Sequence, residues 1–208
     1  MAPHEKLEML LQYAIPQGDV NPLAHRLIDQ FGSVAGAMDA PYEQLIQVKG
    51  MKEYSATYLK MLLSLVGLYL QESKAVPAIP SMDPTSIQEY LFPYFIDKEQ
   101  EHAFLLCMDN EGKILYGDFI SKGSANEVFC SPREIAKLAL RFEATIVFLA
   151  HNHPKGLANP SKEDIALTEQ IIRALEPLGI CLQDHFIFTK RDSISMRSCT
   201  FIFSRGFV

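Results

Sequence analysis

The sequence predicts a small all-α domain followed by an α/β domain, and three features lead to this fold class. Apolar residues recur at helical spacing over residues 4–72, a stretch with three prolines follows, and strand-like runs then alternate with helical ones. Strands that alternate with helices are typical of a sheet covered by helices. We therefore expect helices over residues 1–75, a proline-rich linker over residues 76–84 and a mixed domain over residues 85–208.

The first domain is predicted to be helical because its apolar side chains recur three or four positions apart, which places them on one face of a helix. This spacing occurs in Leu7–Ala14, Leu23–Phe31 and Leu59–Leu70. The prolines that follow lack backbone donors, so the linker should form neither a helix nor a central strand.

The second domain is predicted to begin with a short helix over Ser86–Phe95 and a β-hairpin. The hairpin strands are Ala103–Met108 and Lys113–Ile120, joined by a turn that contains Gly112. Ser131-Pro132 has the residue types of a helix start, with Ser as the N-cap and Pro at the first helical position. The remaining predicted elements are a strand over Thr145–Leu149, a helix over Ile165–Leu175 and strands over Ile180–Leu182 and His185–Phe188.

Composition and charge argue against several classes of protein. The net charge of −6 and the pI of about 5.5 disfavour binding of nucleic acid over a broad positively charged surface, because such binding needs clustered Lys and Arg. The apolar runs are too short or too interrupted to span a bilayer, and the N-terminal segment lacks the features of a signal peptide, so we expect a cytoplasmic protein that does not enter membranes. The four cysteines are scattered without a C-x-x-C pair, and we expect them to be reduced.

The most informative segment is Ala150-His151-Asn152-His153-Pro154, which directly follows a predicted strand. Residues two apart in an extended chain point to the same side, so both imidazoles can face one metal ion. Asp164, in the first turn of the next helix, can add a carboxylate ligand and leave a fourth tetrahedral position open. The residues alone leave other interpretations, since histidines on loops are often ordinary surface residues and Ser161-x-x-Asp164 also fits a capping box.

This spacing resembles the zinc motif of the JAMM (MPN-plus) metalloproteases, because His151-x-His153 is followed after seven residues by Ser161-x-x-Asp164. Over a longer stretch, from about Lys6 to Ser198, the chain resembles the bacterial RadC family. The segments that carry this resemblance are Lys122-Gly123-Ser124, Ser131-Pro132-Arg133-Glu134, Ala150 to Thr168 and Asp184-His185. The resemblance implies a JAMM/MPN domain, a cytidine-deaminase-like α/β fold, preceded by a helix-hairpin-helix-like domain.

By this resemblance His151, His153 and Asp164 are the ligands of a Zn2+ ion, and Ser161 helps to hold the oxyanion formed on a scissile carbonyl. Zinc lowers the pKa of bound water toward about 7, so that water can attack a carbonyl near neutral pH. The implied activity is hydrolysis of amide, peptide or isopeptide bonds in a peptide or protein substrate. Neither the substrate nor the oligomeric state follows from the sequence, and a homodimer is among the states left open.

The resemblance also implies a glutamate that acts as general base, and Glu101 is the residue at the matching position before the first hairpin strand. Glu99 lies two residues earlier and should share its strand face, so the sequence does not decide between them. Glu134 belongs to a segment typical of RadC but lies on a predicted helix. We interpret the other histidines as residues of the surface or of the edge of the core: His4, His25, His102 and His185.

The first domain suggests a second hypothesis. Leu45 to Lys52 resembles the helix-hairpin-helix unit of the RadC family, whose glycine-rich turn presents backbone N–H groups to DNA phosphates. Lys52 stands where such a turn has its second glycine, and a side chain there obstructs close approach of the backbone. The alternatives to a hydrolase are thus a DNA-associated protein of repair or recombination, or a partner-binding module in which the metal is vestigial or only stabilises the fold.

Overall fold

The computed structural model of the chain describes residues 2–73, 82–122, 131–154 and 156–199. The chain divides into two compact units, residues 1–69 and 70–208, and the division falls inside a long helix. The predicted end of the first domain, at residue 75, lies outside the described residues. Among the described residues, no helix combines the length and the apolar composition that crossing a membrane requires.

Some predicted features lie outside the described residues. They are residues 76–81 of the predicted linker, Gly123 and Ser124 of one RadC-like segment, and Cys130. Pro84, placed in the linker by the sequence, is the first residue of a helix whose N-cap is Asp83. The remaining cysteines are free thiols.

The first unit packs its helices around an apolar core. Its helices are α1 (Pro3–Ala14), α2 (Asn21–Phe31), α3 (Val34–Asp39), α4 (Tyr42–Leu45) and α5 (Glu53–Ser73), of which α5 continues into the second unit. Leucines that the helical spacing predicts on one face are buried, among them Leu7, Leu11, Leu23, Leu27 and Leu59. The helical character of this region is therefore as the sequence predicts.

Between α4 and α5 the chain turns at Gly50, whose φ of +100° lies in the left-handed region that favours glycine. The two amides that follow already have partners. Met51 N donates to the carbonyl oxygen of Val48, and Lys52 N donates to Oγ of Ser55, each over 2.9 Å. In this conformation neither N–H group is available to a phosphate.

The second unit is built on a five-stranded mixed sheet, which confirms the predicted α/β class. Its strands are β1 (His102–Met108), β2 (Ile114–Lys122), β3 (Ile146–Asn152), β4 (Cys181–Phe188) and β5 (Ser193–Ser195), in the order β2-β1-β3-β4-β5. Its described helices are α6 (Pro84–Phe95), α7 (Pro132–Arg141), α8 (Lys162–Leu175) and α9 (Met196–Cys199). β3 and β4 are parallel, and the crossover that a parallel pair needs contains α8.

Helices cover both faces of this sheet, and β3 shows the consequence most clearly. Val147 and Leu149 pack on the face covered by α7 and α8, while Phe148 and Ala150 pack on the face covered by α6. A strand buried on both faces must be apolar throughout, which explains the continuous apolar run that predicts it. By the same alternation His151 points to the side of α7 and α8.

β4 carries a β-bulge at Gln183. The residues on either side of it pair with consecutive residues of β3, so Gln183 has no partner there. Because of this extra residue, every later residue of the strand lies on the face opposite to the one that simple alternation along the sequence would give it. Leu182 packs on the side of α7 and α8, and beyond the bulge His185 lies on this same side. The two strands predicted around this point are therefore one strand with a bulge.

The side chain of Asn152, at the end of β3, fastens the segment that precedes β1. Its Oδ1 accepts from N of His102 over 2.7 Å, and its Nδ2 donates to the carbonyl oxygens of Gln100 and Lys98 over 3.0 and 3.4 Å. Asn152 is 3% exposed, so water cannot readily replace these bonds. This buried amide therefore holds residues 98–102 against the end of β3.

We expect Asn152→Ala to lower the free energy of unfolding by about 2–4 kcal/mol, because each buried polar group that loses its partner costs about 1–3 kcal/mol. Urea denaturation measures the change. Gln100→Ala is the control, since Gln100 is exposed and accepts through its main-chain carbonyl, which that substitution keeps. An unchanged unfolding midpoint for Asn152→Ala would contradict the fastening role.

Candidate metal centre

Three candidate ligands converge where β3 ends and α8 begins. His151 is in β3, His153 follows its last residue, and Asp164 is in the first turn of α8. The Nε2 atoms of the two histidines are 2.9 Å apart, and Asp164 oxygens lie 3.2 Å from Nε2 of His151 and 3.5 Å from Nε2 of His153. Across the described stretches of the chain, no other group of His, Cys, Asp and Glu residues comes together in this way.

The distance of 3.2 Å between Oδ1 of Asp164 and Nε2 of His151 is close to the separation of two ligand atoms on one tetrahedral metal ion, whereas the contact to His153 is made by Oδ2. Zinc bonds of about 2.0–2.1 Å in tetrahedral geometry place the ligand atoms roughly 3.3 Å apart. Two imidazole Nε2 atoms that face each other across 2.9 Å need a proton or a cation between them, because their lone pairs otherwise repel. The group of two imidazoles and a carboxylate can therefore hold a metal ion.

Each imidazole presents Nε2 to this centre because its Nδ1 has another partner. Nδ1 of His153 donates to the carbonyl oxygen of Leu157 over 3.0 Å. Nδ1 of His151 lies 2.8 Å from Nε2 of His185. A hydrogen bond to the far nitrogen of a ligand histidine fixes both its ring orientation and its tautomer.

The carboxylate of Asp164 is held by the N-terminus of its own helix. Ser161 donates to Oδ2 twice, from N over 2.8 Å and from Oγ over 2.6 Å, and its Oγ accepts from N of Asp164 over 3.0 Å. This is the capping box that the sequence left open as an alternative. The two interpretations are compatible, because the other oxygen, Oδ1, is the one that approaches His151.

His153 and Asp164 shift each other's pKa values, and His151 contributes to the shift of Asp164. Burial by itself raises the pKa of Asp164, but hydrogen bonds from His151, His153 and Ser161 outweigh burial and hold this pKa well below its usual range. The hydrogen bond to Asp164 raises the pKa of His153, against the opposing effect of burial. In weakly acidic solution a metal ion must displace a proton from His153, so metal binding should weaken as the pH falls.

Glu101 directly precedes β1. The pairing of β1 with β3 ends with Ala103 opposite His151, and Glu101 lies two residues before Ala103. The pKa of His153 is raised most by its hydrogen bond to Asp164, and the negative charge of Glu101 is a smaller cause in the same direction.

The other two candidate bases are placed differently. The chain bends at Gln100 and β1 begins at His102, so the strand alternation that was expected to put Glu99 on the face of Glu101 does not reach it. Glu134 is an exposed residue in the first turn of α7, where a carboxylate interacts favourably with the helix dipole.

Two buried polar residues behind the ligands were not predicted as part of the site. The interpretation of His185 as a surface or core-edge residue is wrong, because it is 1% exposed and contacts His151. Burial is the largest cause that lowers the pKa of His185 well below its usual range, and the nearby His151 lowers it further, so the ring of His185 is neutral. Thr168 lies one turn after Asp164, and this i, i+4 spacing is the sequence signal that could have found it.

A family model and several relatives resemble this chain. The family model described as a RadC-like JAB domain matches residues 81–201. A UPF0758 protein of Rhodobacter capsulatus is 34% identical over 95% of this chain and 92% of its own length. A UPF0758 protein of Ruegeria pomeroyi is 35% identical over 94% of this chain and 87% of its own length. Another, from Idiomarina loihiensis, is 32% identical over 92% of this chain and 85% of its own length.

The domain match includes every element of the sheet and all three candidate ligands, and the relatives extend it over the first unit as well. The resemblance that the sequence motifs suggest is thereby confirmed. The chain belongs to the RadC family and carries a RadC-like JAB domain.

Proposed function

We propose that this protein is a zinc-dependent hydrolase of amide bonds, acting on peptide or isopeptide linkages. The observation that carries the proposal is the convergence of two imidazole nitrogens and a carboxylate within 2.9–3.5 Å of one another. A purely structural zinc site would be closed by a fourth protein ligand, whereas three protein ligands leave a position for chemistry. No fourth His, Cys, Asp or Glu joins the group among the described residues.

The residues around the centre can supply the remaining roles. Zinc held by His151, His153 and Asp164 would act as a Lewis acid that polarises a carbonyl and makes water nucleophilic near neutral pH. Glu101 is exposed and its charge acts on His153, which supports a role for its carboxylate in taking a proton from the attacking water. The same carboxylate can then protonate the leaving amine.

Ser161 is suited to two successive tasks. Its hydroxyl proton is directed at Oδ2 of Asp164, and its backbone N–H binds the same oxygen. If the hydroxyl turns toward a substrate, the backbone N–H still holds Asp164 in place. We propose that Ser161 positions Asp164 in the resting protein and donates to the developing oxyanion during the reaction, where one such donor is worth about 3–4 kcal/mol.

A DNA-associated role gains less support. Gly50 has a positive φ in this turn, but the N–H groups of Met51 and Lys52 are bound within the chain. The hypothesis stays testable by fluorescence anisotropy with single-stranded, duplex and branched DNA. Affinity near physiological ionic strength that falls steeply with added salt would revive it.

Protein purified without a polyhistidine tag should contain about one zinc per chain, as three ligands in one site require. His153→Ala and Asp164→Ala should lose the metal because each removes a ligand. Glu163→Ala is the matched control, since Glu163 is an exposed acid in the same helical turn. Elemental analysis measures the content, and a wild-type protein without zinc even after reconstitution would contradict the proposal.

Glu101→Gln should leave the zinc content unchanged and lower kcat by about 10²–10⁴-fold on any peptide or isopeptide that the wild type cleaves, because it removes the proton acceptor. Glu99→Gln is the control, and we expect it to keep most of the activity. The measurement is a rate on fluorogenic substrates with the metal content determined in parallel. A larger loss in Glu99→Gln than in Glu101→Gln would assign the base to Glu99 instead.

A further inference from the structure

A chain of hydrogen bonds runs behind the metal centre from one ligand to another. Nδ1 of His151 lies 2.8 Å from Nε2 of His185, and Nδ1 of His185 lies 2.7 Å from Oγ1 of Thr168. Oγ1 of Thr168 donates to the carbonyl oxygen of Asp164 over 2.6 Å. His185 and Thr168 are 1% and 0% exposed, so water does not compete for these bonds.

The last acceptor sets the direction of the whole chain. A carbonyl oxygen can only accept, and that of Asp164, at 2.6 Å, is a closer and stronger acceptor for the single hydroxyl proton of Thr168 than Sδ of Met196 at 3.8 Å, so we assign this proton to Asp164. Oγ1 of Thr168 must then accept from Nδ1–H of His185. A neutral His185 with its proton on Nδ1 offers Nε2 as an acceptor, and it receives Nδ1–H of His151. Each group in the chain thus donates once in the same direction.

This direction is the one that a metal site needs. With its proton on Nδ1, His151 has an unprotonated Nε2 facing His153 and Asp164. In the opposite direction His151 would carry the proton on Nε2, where it would block a metal ion. The hydroxyl of Thr168 would then have to donate to His185 and leave the carbonyl of Asp164.

We propose that His185, backed by Thr168, is a positioning residue that holds His151 in the tautomer required for metal binding. The inference rests on the metal site of the proposed function and concerns no reacting atom. Partners of this kind behind metal ligands typically change metal affinity by 10–100-fold when they are removed.

The neighbouring Asp184 provides a control for simple loss of packing. Its carboxylate accepts from Oγ of Ser195 over 2.5 Å and from N of Arg197 over 3.0 Å, which joins β4 to β5 and α9. Ser195 is 5% exposed and is not part of the chain behind His151. Ser195→Ala therefore disturbs a buried hydrogen bond next to His185 without interrupting that chain.

Two matched pairs of variants test the proposal. Thr168→Val removes the hydroxyl at nearly constant shape, whereas Thr168→Ser keeps it. His185→Leu removes the acceptor for His151, whereas His185→Gln can still offer an amide oxygen. For all four and for Ser195→Ala, the zinc dissociation constant is measured by competition with a chromophoric chelator, and the melting temperature is measured without metal.

We expect Thr168→Val and His185→Leu to bind zinc about 10–100-fold more weakly than the wild type, with Thr168→Ser and His185→Gln close to it. Ser195→Ala should lower the melting temperature and leave zinc affinity unchanged. Equal zinc affinity in Thr168→Val and Thr168→Ser would overturn the inference. If His185→Leu does not fold, the Thr168 pair decides.

NMR on protein with 15N-labelled histidine gives a second readout, independent of affinity. In the zinc-loaded wild type, two-bond correlations should show a proton on Nδ1 of His151 and on Nδ1 of His185. A proton on Nε2 of His185 would overturn the inference. A wild type that binds no zinc would overturn the proposed function and the inference together, whereas tight binding with unaffected variants would overturn the inference alone.

Discussion

The site depends on the partners of the two ring nitrogens of His151, a buried imidazole. His151 is 7% exposed and is the last residue but one of a strand that is covered on both faces, so each of its ring nitrogens needs a partner inside the protein. One nitrogen faces His153 and Asp164, and the other faces His185. The start of α8 and the bulge in β4 are the features that bring these partners to it.

Helix formation and site formation use the same side chains at the start of α8. Ser161 and Asp164 satisfy the first N–H groups of the helix, and they also fix the carboxylate that faces the histidines. A metal ion bound by Asp164 would therefore stabilise the helix N-terminus along with the site. This coupling explains how an ordinary capping box and a ligand set can occupy one stretch of sequence without conflict.

Much of this organisation could be predicted from local patterns. The apolar run of β3, the capping residues of α8 and the spacing from His151 to Asp164 are all readable from neighbouring residues. His185 could not be placed in the same way, because its side depends on a bulge and its partner is thirty-four positions away. The role of Asn152 is likewise not predictable, since the carbonyls that it binds carry no side-chain signal.

The bulge at Gln183 has a consequence for sequence comparison and for design. If the same sequence paired with β3 without the bulge, His185 would lie opposite Ala150, in the aromatic layer below α6, and Phe186 would lie opposite His151. A homologue with an unbulged strand would therefore need a one-residue gap here before equivalent positions coincide. A gapless alignment would compare a buried imidazole with a phenyl ring on the opposite face. A designed sheet that kept this sequence but not the bulge would lose the contact of His185 with His151.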